Sequence, residues 1–317
     1  MLVVVSARGD SQGISLLYPQ DRSLVESKLL SVVISLGGSD IDRIIITRNS
    51  KEVESLAVIR GKKFVCKVIT IDYGLNTVGI RAMKDGKTVE SKEVAVFYRS
   101  DLSKKVTKNP PEFQNRPFHT QSREETCKPC HTMEASEKDL KPEKPEDSMC
   151  FQCHSKITSL GFVHGPSARW HCLACHEKDS KDSKYVTQKP DRELCLKCHQ
   201  EKISDWAPKK YVHGPTARGK CTLCHNAHSS DNAFWLKKPT WNLCVTCHEE
   251  MGKGKHMLKP FSLPDKKHPT KGIPDPSRPG KQLSCASCHN AHASNYRALF
   301  AIDTSDLFEF CQRCHKF

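Results

Sequence analysis

The chain has 317 residues, room for two or three domains, with a hydrophobic fraction of 37%, 7% aromatic residues and a formal net charge of +14. That basic balance invites a nucleic-acid reading, but no base-reading motif accompanies it. No stretch reaches the length of a membrane-spanning helix. Aliphatic residues crowd into the first hundred positions, leaving the other two thirds too poor in them for an ordinary side-chain core.

The start, Met1-Leu2-Val3-Val4-Val5-Ser6-Ala7, is too short and lacks the basic n-region of a full signal peptide, yet it reads as the tail of one, with Val5-Ser6-Ala7 suiting a small-residue cleavage site. Residues 1–13 are therefore expected to be a signal-peptide remnant or a flexible N-terminus. Residues 14–99 read as an all-β sandwich. Leu29–Leu36, Arg43–Arg48, Lys62–Ile71 and Leu75–Met83 are rich in Val and Ile, and Asp85-Gly86 joins the last of these to Val89–Tyr98 as a hairpin. Six or seven strands at this spacing predict two packed sheets. Cys66, inside one of these strands, is expected to be a buried structural thiol. Residues 100–118, with Asn109-Pro110-Pro111 and Pro117, read as a polar linker.

Beyond residue 118 the sequence changes character. Eight copies of Cys-x-x-Cys-His consume sixteen of the seventeen cysteines: Cys127/Cys130, Cys150/Cys153, Cys172/Cys175, Cys195/Cys198, Cys221/Cys224, Cys244/Cys247, Cys285/Cys288 and Cys311/Cys314. The adjoining histidines are His131, His154, His176, His199, His225, His248, His289 and His315. This spacing is the attachment signature of c-type haem: two thiols form thioethers to the porphyrin vinyl groups, and the histidine reaches the iron from one side. A zinc ribbon has no need of a histidine after every second cysteine, and a disulfide framework would neither dictate the histidines nor leave an odd cysteine. The motifs predict eight covalent c-type haems, each carrying iron.

Eight further histidines complete the set: His119, His164, His171, His213, His228, His256, His268 and His292, all in the same region. The simplest stoichiometry is two imidazoles on every iron. The alternative leaves some iron open or ligated by Met133, Met149, Met251 or Met257.

The motifs fall into a repeat. Val163-His164-Gly165-Pro166-Ser167-Ala168-Arg169 returns 49 residues later as Val212-His213-Gly214-Pro215-Thr216-Ala217-Arg218, and a third copy lies 45 residues upstream with His119, Cys127 and Cys150. In all three the leading histidine stands eight residues before the first cysteine, and the two motifs are 23 apart. The fourth copy is stretched: His268 precedes Cys285 by 17 residues, across a Pro/Gly-rich insertion at Gly272–Gly280 that reads as a surface loop. Residues 119–317 are thus four haem-pair repeats, mostly loops with helices of one or two turns around each motif. His119, His164, His213 and His268 share one repeat position and should perform the same ligation. His228 and His292 trail their motif histidines by three residues and should reach a neighbouring iron. Distal histidines are shared unevenly among the repeats, so at least one must cross a repeat boundary. It could do so within the chain, or between chains if the fourth repeat lends its surplus to the next molecule.

Haem also changes the charge balance. With two propionates and one ferric charge each, eight haems bring the chain to about +6 oxidised and about −2 reduced. Many lysines and arginines are then propionate partners rather than nucleic-acid contacts. Irons held between two imidazoles exchange electrons at low potential and offer no open site. The expected function is long-range electron transfer outside the cytoplasm, where c-type haem is attached, with redox proteins or extracellular acceptors as partners and a homopolymer as one form of assembly. The alternative is an octahaem oxidoreductase acting on a small nitrogen or sulfur compound, although all eight motifs here end in histidine.

On these motifs and the His-Gly-Pro heads, residues 119–317 resemble the doubled-motif multihaem c-type cytochromes, which implies a periplasmic shuttle, an outer-surface conduit or a polymerised wire. Phe64–Val68, Gly74–Val78 and Val94–Tyr98 resemble the C-terminal half of bacterial immunoglobulin-like or fibronectin-like modules.

Overall fold

The computed structural model describes residues 13–38, 40–129, 131–180, 183–187, 191–253, 256, 268–302, 304 and 306–315, apart from the side chain at 307. The expected leader remnant falls, but for Gly13, outside them, as do Cys130 and Met257. The chain divides into two compact units, Met1–Ala135 with Pro145–Ile157 and Lys181–Ser183, and Ser136–Lys144 with Thr158–Ser180 and Lys184–Phe317.

The first unit is built on strands β1 (Ser15–Tyr18), β2 (Ser23–Val25), β3 (Leu29–Ser35), β4 (Arg43–Arg48), β5 (Lys51–Ala57), β6 (Phe64–Thr70), β7 (Gly74–Lys84), β8 (Lys87–Tyr98) and β9 (Gln114–Asn115). They form a three-stranded sheet in the order β1-β3-β6 and a six-stranded sheet in the order β5-β4-β7-β8-β2-β9. Between the sheets, Leu30, Val32, Ile34, Val65 and Ile69 of one pack with Ile44, Ile46, Val78, Ile80, Ala82 and Val96 of the other. This is the expected sandwich, and each fully buried Ile or Val stabilises it by about 1.5–3 kcal/mol. Both long hairpins turn on two residues in the left-handed region, Asn49 (φ 50°) with Ser50 (φ 65°), and Asp85 (φ 48°) with Gly86 (φ 74°). Such paired positive φ values match the twist of the flanking strands.

Cys66 corrects one expectation: it is exposed, not buried. Side chains alternate along a strand, and β6 turns Val65 and Ile69 to the core, which puts Cys66 on the opposite face. The expected linker is packed against the β-sheet. Phe113 meets Phe97 at 5.6 Å between ring centroids, Leu102 and Val106 are buried, and β9 adds a parallel edge to β2.

The second unit has few buried apolar side chains; among the described residues they are Trp170, Leu243, Leu283 and Ala293. Its longest described helix, Thr240–Cys247, has eight residues. Successive repeats are joined by short antiparallel ladders: β10 (Phe162–Val163) with β12 (Ser229–Ser230), and β11 (Tyr211–Val212) with β13 (Ala293–Ser294). After each β-strand of the head, Gly-Pro opens a four-residue helix, Gly165–Ala168 or Gly214–Ala217, with the histidine at its extended N-cap. Proline suits that first turn because its missing N–H has no partner to lose there. In the fourth repeat's insertion, the buried Asp275 carboxylate accepts hydrogen bonds from Ser277 and Arg278, and Arg278 donates onward to Ser287 of the helix Cys285–Cys288.

Candidate haem-ligand sites

One helical turn makes each attachment motif. In all eight, the histidine amide donates to the carbonyl of the first cysteine four residues earlier, at 2.9–3.1 Å. Residues i, i+3 and i+4 share a helix face, so Cys-x-x-Cys-His brings two thiols and an imidazole to one side of a single turn.

The histidines then meet in twos. Ring centroids lie 6.2 Å apart for His119–His154, 6.2 Å for His164–His199, 6.0 Å for His176–His228 and 6.0 Å for His213–His248. They lie 6.1 Å apart for His225–His292, His256–His289 and His268–His315. Every pair joins a motif histidine to a distal one. An imidazole nitrogen sits about 2 Å from a bound metal, with the ring centroid about 1.1 Å behind it, so two rings on opposite sides of one ion stand about 6.2 Å apart. The spacing fits one iron between each pair. Among the described residues no three His, Cys, Asp or Glu side chains gather into a metal cage. His131 and His171 fall in different compact units, and the geometry of neither enters these pairs.

The four leading histidines, His119, His164, His213 and His268, each face the second motif histidine of their own repeat. His228 and His292 reach backwards to the first motif of the preceding repeat. The ladders dictate this, since the His164 amide donates to the His228 carbonyl at 2.9 Å and the His213 amide to the His292 carbonyl at 2.8 Å. All three distal histidines of the fourth repeat, His256, His268 and His292, face motif histidines of the same chain, which leaves none of them surplus for a neighbouring molecule.

The outer ring nitrogens are also placed. Nδ1 of His176, His225 and His289 each lies 2.7 Å from a carbonyl nine residues on, at Tyr185, Phe234 and Ala298. The turns that aim these carbonyls hold non-glycine residues at positive φ: Tyr185 (62°), Phe234 (58°), Trp235 (53°) and Leu299 (57°). Residues there are uncommon and cluster where function fixes the backbone. No composition or spacing signal marks these carbonyls in the sequence. Burial, reinforced by the facing imidazole, lowers the pKa of His164, His213, His256 and His292, which favours the neutral ring a metal needs. Trp206 stacks on His292 at 4.8 Å.

The thiols trace an order. Within repeats, Cys175 neighbours Cys198, Cys224 neighbours Cys247 and Cys288 neighbours Cys314. Between repeats, Cys195 lies beside Cys221 and Cys244 beside Cys285. Attachment sites therefore follow one another in chain order from Cys172 to Cys314. In the first unit, Cys66 lies against Cys153.

Haem fits these surroundings. A cavity of about 420 Å³ beside the Cys175 thiol and His176 has Leu140, Leu173 and Leu194 on its wall together with the charged Glu177, Lys178, Asp179 and Lys197. Two buried donors, Arg116 Nε and Trp235 Nε1, have no protein acceptor among the described residues, as suits an anionic propionate.

The doubled CXXCH motif family matches residues 119–158, 164–204, 213–253 and 278–317, a little over half of the chain. The chain belongs to this family, whose paired motifs denote multihaem c-type cytochromes, with covalently bound haem iron that carries electrons. A comparison with curated proteins gave no match. Among solved structures, the fibronectin(III)-like modules of Clostridium thermocellum CbhA share 16% identity over 27% of this chain and 94% of theirs, with a TM-score of 0.23. An FMN-binding β-glucuronidase from Facaelibacterium prausnitzii shares 15% identity over 32% of this chain and 13% of its own, with a TM-score of 0.22. These two likenesses carry no argument, and the sandwich stands on its own strands. Among the described residues no helix is long and apolar enough to cross a membrane.

Proposed function

We propose that the chain holds eight c-type haems, each iron between a motif imidazole and a distal one, and conducts electrons along itself in sequence order, in respiration outside the cytoplasm. The observation that carries this reading is the set of seven motif–distal imidazole pairs at 6.0–6.2 Å. When bound, haem iron with two imidazole ligands supplies one-electron exchange without an open coordination position. The chain's own residues would hold each group through two thiols and a pair of imidazoles, and carbonyls at Nδ1 of His176, His225 and His289 would orient those rings. Its partners on this reading are other redox proteins or extracellular acceptors.

An enzyme acting on a small nitrogen or sulfur compound needs an iron with one free face, and the seven pairs speak against one at those positions. Denaturing mass spectrometry of the holoprotein should show eight haem additions, and its ferric spectrum should be wholly low-spin. Fewer additions, or a high-spin component that binds cyanide, would overturn the reading.

A further inference from the structure

The first repeat differs from the others in what stands behind its leading histidine. His119 Nδ1 lies 3.1 Å from Oε1 of Glu124, whose side chain is 0% exposed. Other imidazoles of the set rest on neutral acceptors: His176, His225 and His289 on carbonyls, His164 and His213 on the carbonyls of Ala227 and Ala291, and His131 on the Gln152 amide oxygen. Glu201 is 3.7 Å from His199, beyond hydrogen-bond reach, and its side chain is exposed.

The repeat alignment sharpens the contrast. Counting eight residues back from the first cysteine aligns His119 with His164 and His213, and the same count aligns Glu124 with Arg169 and Arg218. Both arginines are exposed. One repeat position thus carries an exposed cation twice and a buried carboxylate once. The site is well held. Phe118 meets His119 edge-on at 5.4 Å and Tyr18 at 5.6 Å, which ties this ligand to the β-sandwich. The neighbouring Arg123 donates to the Pro117 carbonyl and, at 2.7 Å, to Gln20 Oε1.

We propose that Glu124 is a positioning residue that sets a potential: through His119 Nδ1 it holds the iron between His119 and His154 below the potential of irons whose imidazoles donate to neutral carbonyls. If Nε2 of His119 ligates iron, Nδ1 carries the proton and donates it to Glu124. A carboxylate acceptor makes the imidazole a more basic ligand. A nearby buried negative charge also favours the ferric core, which is one charge more positive than the ferrous core. Both effects lower the same midpoint, so this centre is reduced after those of His176, His225 and His289. A buried charge beside the ligand makes the His119–His154 centre harder to reduce than those three.

The inference rests on the ligation proposed above, and the test separates the two. Potentiometric titration of the intact holoprotein, followed by near-infrared magnetic circular dichroism and electron paramagnetic resonance, is run on the parent, Glu124→Gln, Glu124→Asp and His119→Met. Gln keeps an acceptor oxygen and nearly the same shape while removing the charge. One midpoint should move upward in Glu124→Gln with the other midpoints unmoved, and Asp should return it toward the parent value. That centre should be the one His119→Met perturbs, and in the parent it should titrate below the three named centres. If His119→Met changes one centre but Glu124→Gln changes none, Glu124 sets no potential and only the ligation stands. If His119→Met changes nothing, the ligation itself is wrong at this site. Should Glu124→Gln fail to fold, a parent midpoint for the centre that His119→Met perturbs, at or above those that His228→Met, His292→Met and His256→Met perturb, overturns the proposal without that variant.

Discussion

Asp191 offers a quantitative test of how one repeat is stitched to the next. Its backbone opens the helix Arg192–Leu196 of the fourth motif, accepting from the Cys195 amide at 3.0 Å. Its side chain, on a residue 4% exposed, accepts from the backbone amides of Cys221 and Thr222 at 3.0 and 2.7 Å. Those are the first two amides of the helix Cys221–Cys224 in the following repeat. Helix N-termini leave such donors without intrahelical partners, and a carboxylate there also meets the positive end of the dipole. Hydrogen bonds to a charged group contribute about 1.5–3 kcal/mol each, and loss of a cap costs about 0.5–2 kcal/mol. Since water can enter in part once the side chain is gone, Asp191→Ala should cost about 3 kcal/mol of local stability, the low end of the two-bond sum. At about 1.4 kcal/mol per decade, that is about a hundredfold faster amide exchange at Cys221 and Thr222. Asp191→Asn keeps one acceptor and should show about tenfold. Hydrogen exchange of the holoprotein, read by mass spectrometry, with strand β7 as the internal reference, measures both. Exchange at Thr222 within about threefold of the parent in Asp191→Ala would refute the argument that this carboxylate caps the next repeat.

Removing a distal ligand should be visible in the spectrum: His292→Ala leaves all haems covalently attached but turns one centre in eight high-spin, and an unchanged low-spin spectrum would remove His292 from the ligand set. His213→Met should raise one midpoint, because a thioether replaces an imidazole while both thioether links persist; redox titration reads it. In the sandwich, Ile80→Ala should destabilise by about 2–5 kcal/mol, since the side chain is fully buried between the sheets, as followed by chemical denaturation. Cys66→Ser should leave the mass-spectrometric haem count unchanged, because the residue belongs to no attachment motif and sits on the outer face of β6.

What the sequence disclosed here was set by chemistry that depends on spacing. A thioether pair and its histidine must share one helical turn, so the attachment turns were legible residue by residue, and the Asn-Ala-His tails foretold that His228 and His292 reach a neighbour. Strands β3, β4, β6, β7 and β8 were legible because Val and Ile repeat along them. Strand β5 was not, since as an edge strand it carries Lys51, Glu52 and Glu54, which hide a β pattern while discouraging edge pairing. The short β1 and β2 were missed for want of length. Cys66 was misjudged because strand composition says nothing of which face a residue takes. The carbonyls of Tyr185, Phe234 and Ala298 depend on local backbone strain, which side-chain identity does not encode. Glu124 did have a signal, the exchange of Arg for Glu at one repeat position, although it becomes meaningful only once the carboxylate is seen against His119.

Backward lending by His228 and His292 gives the array a polarity that its near-repetition conceals. The second and third repeats leave their first sites half finished and depend on the repeat after them for closure, whereas the fourth closes its own, His289 facing His256. On the proposed ligation, cutting the chain before the fourth repeat would strip the imidazole opposite His225 and leave an iron there with one bare face. A small ligand could then bind where only electrons passed. On that ligation the final repeat closes the array, and one repeat separates a conductor from a reactive centre.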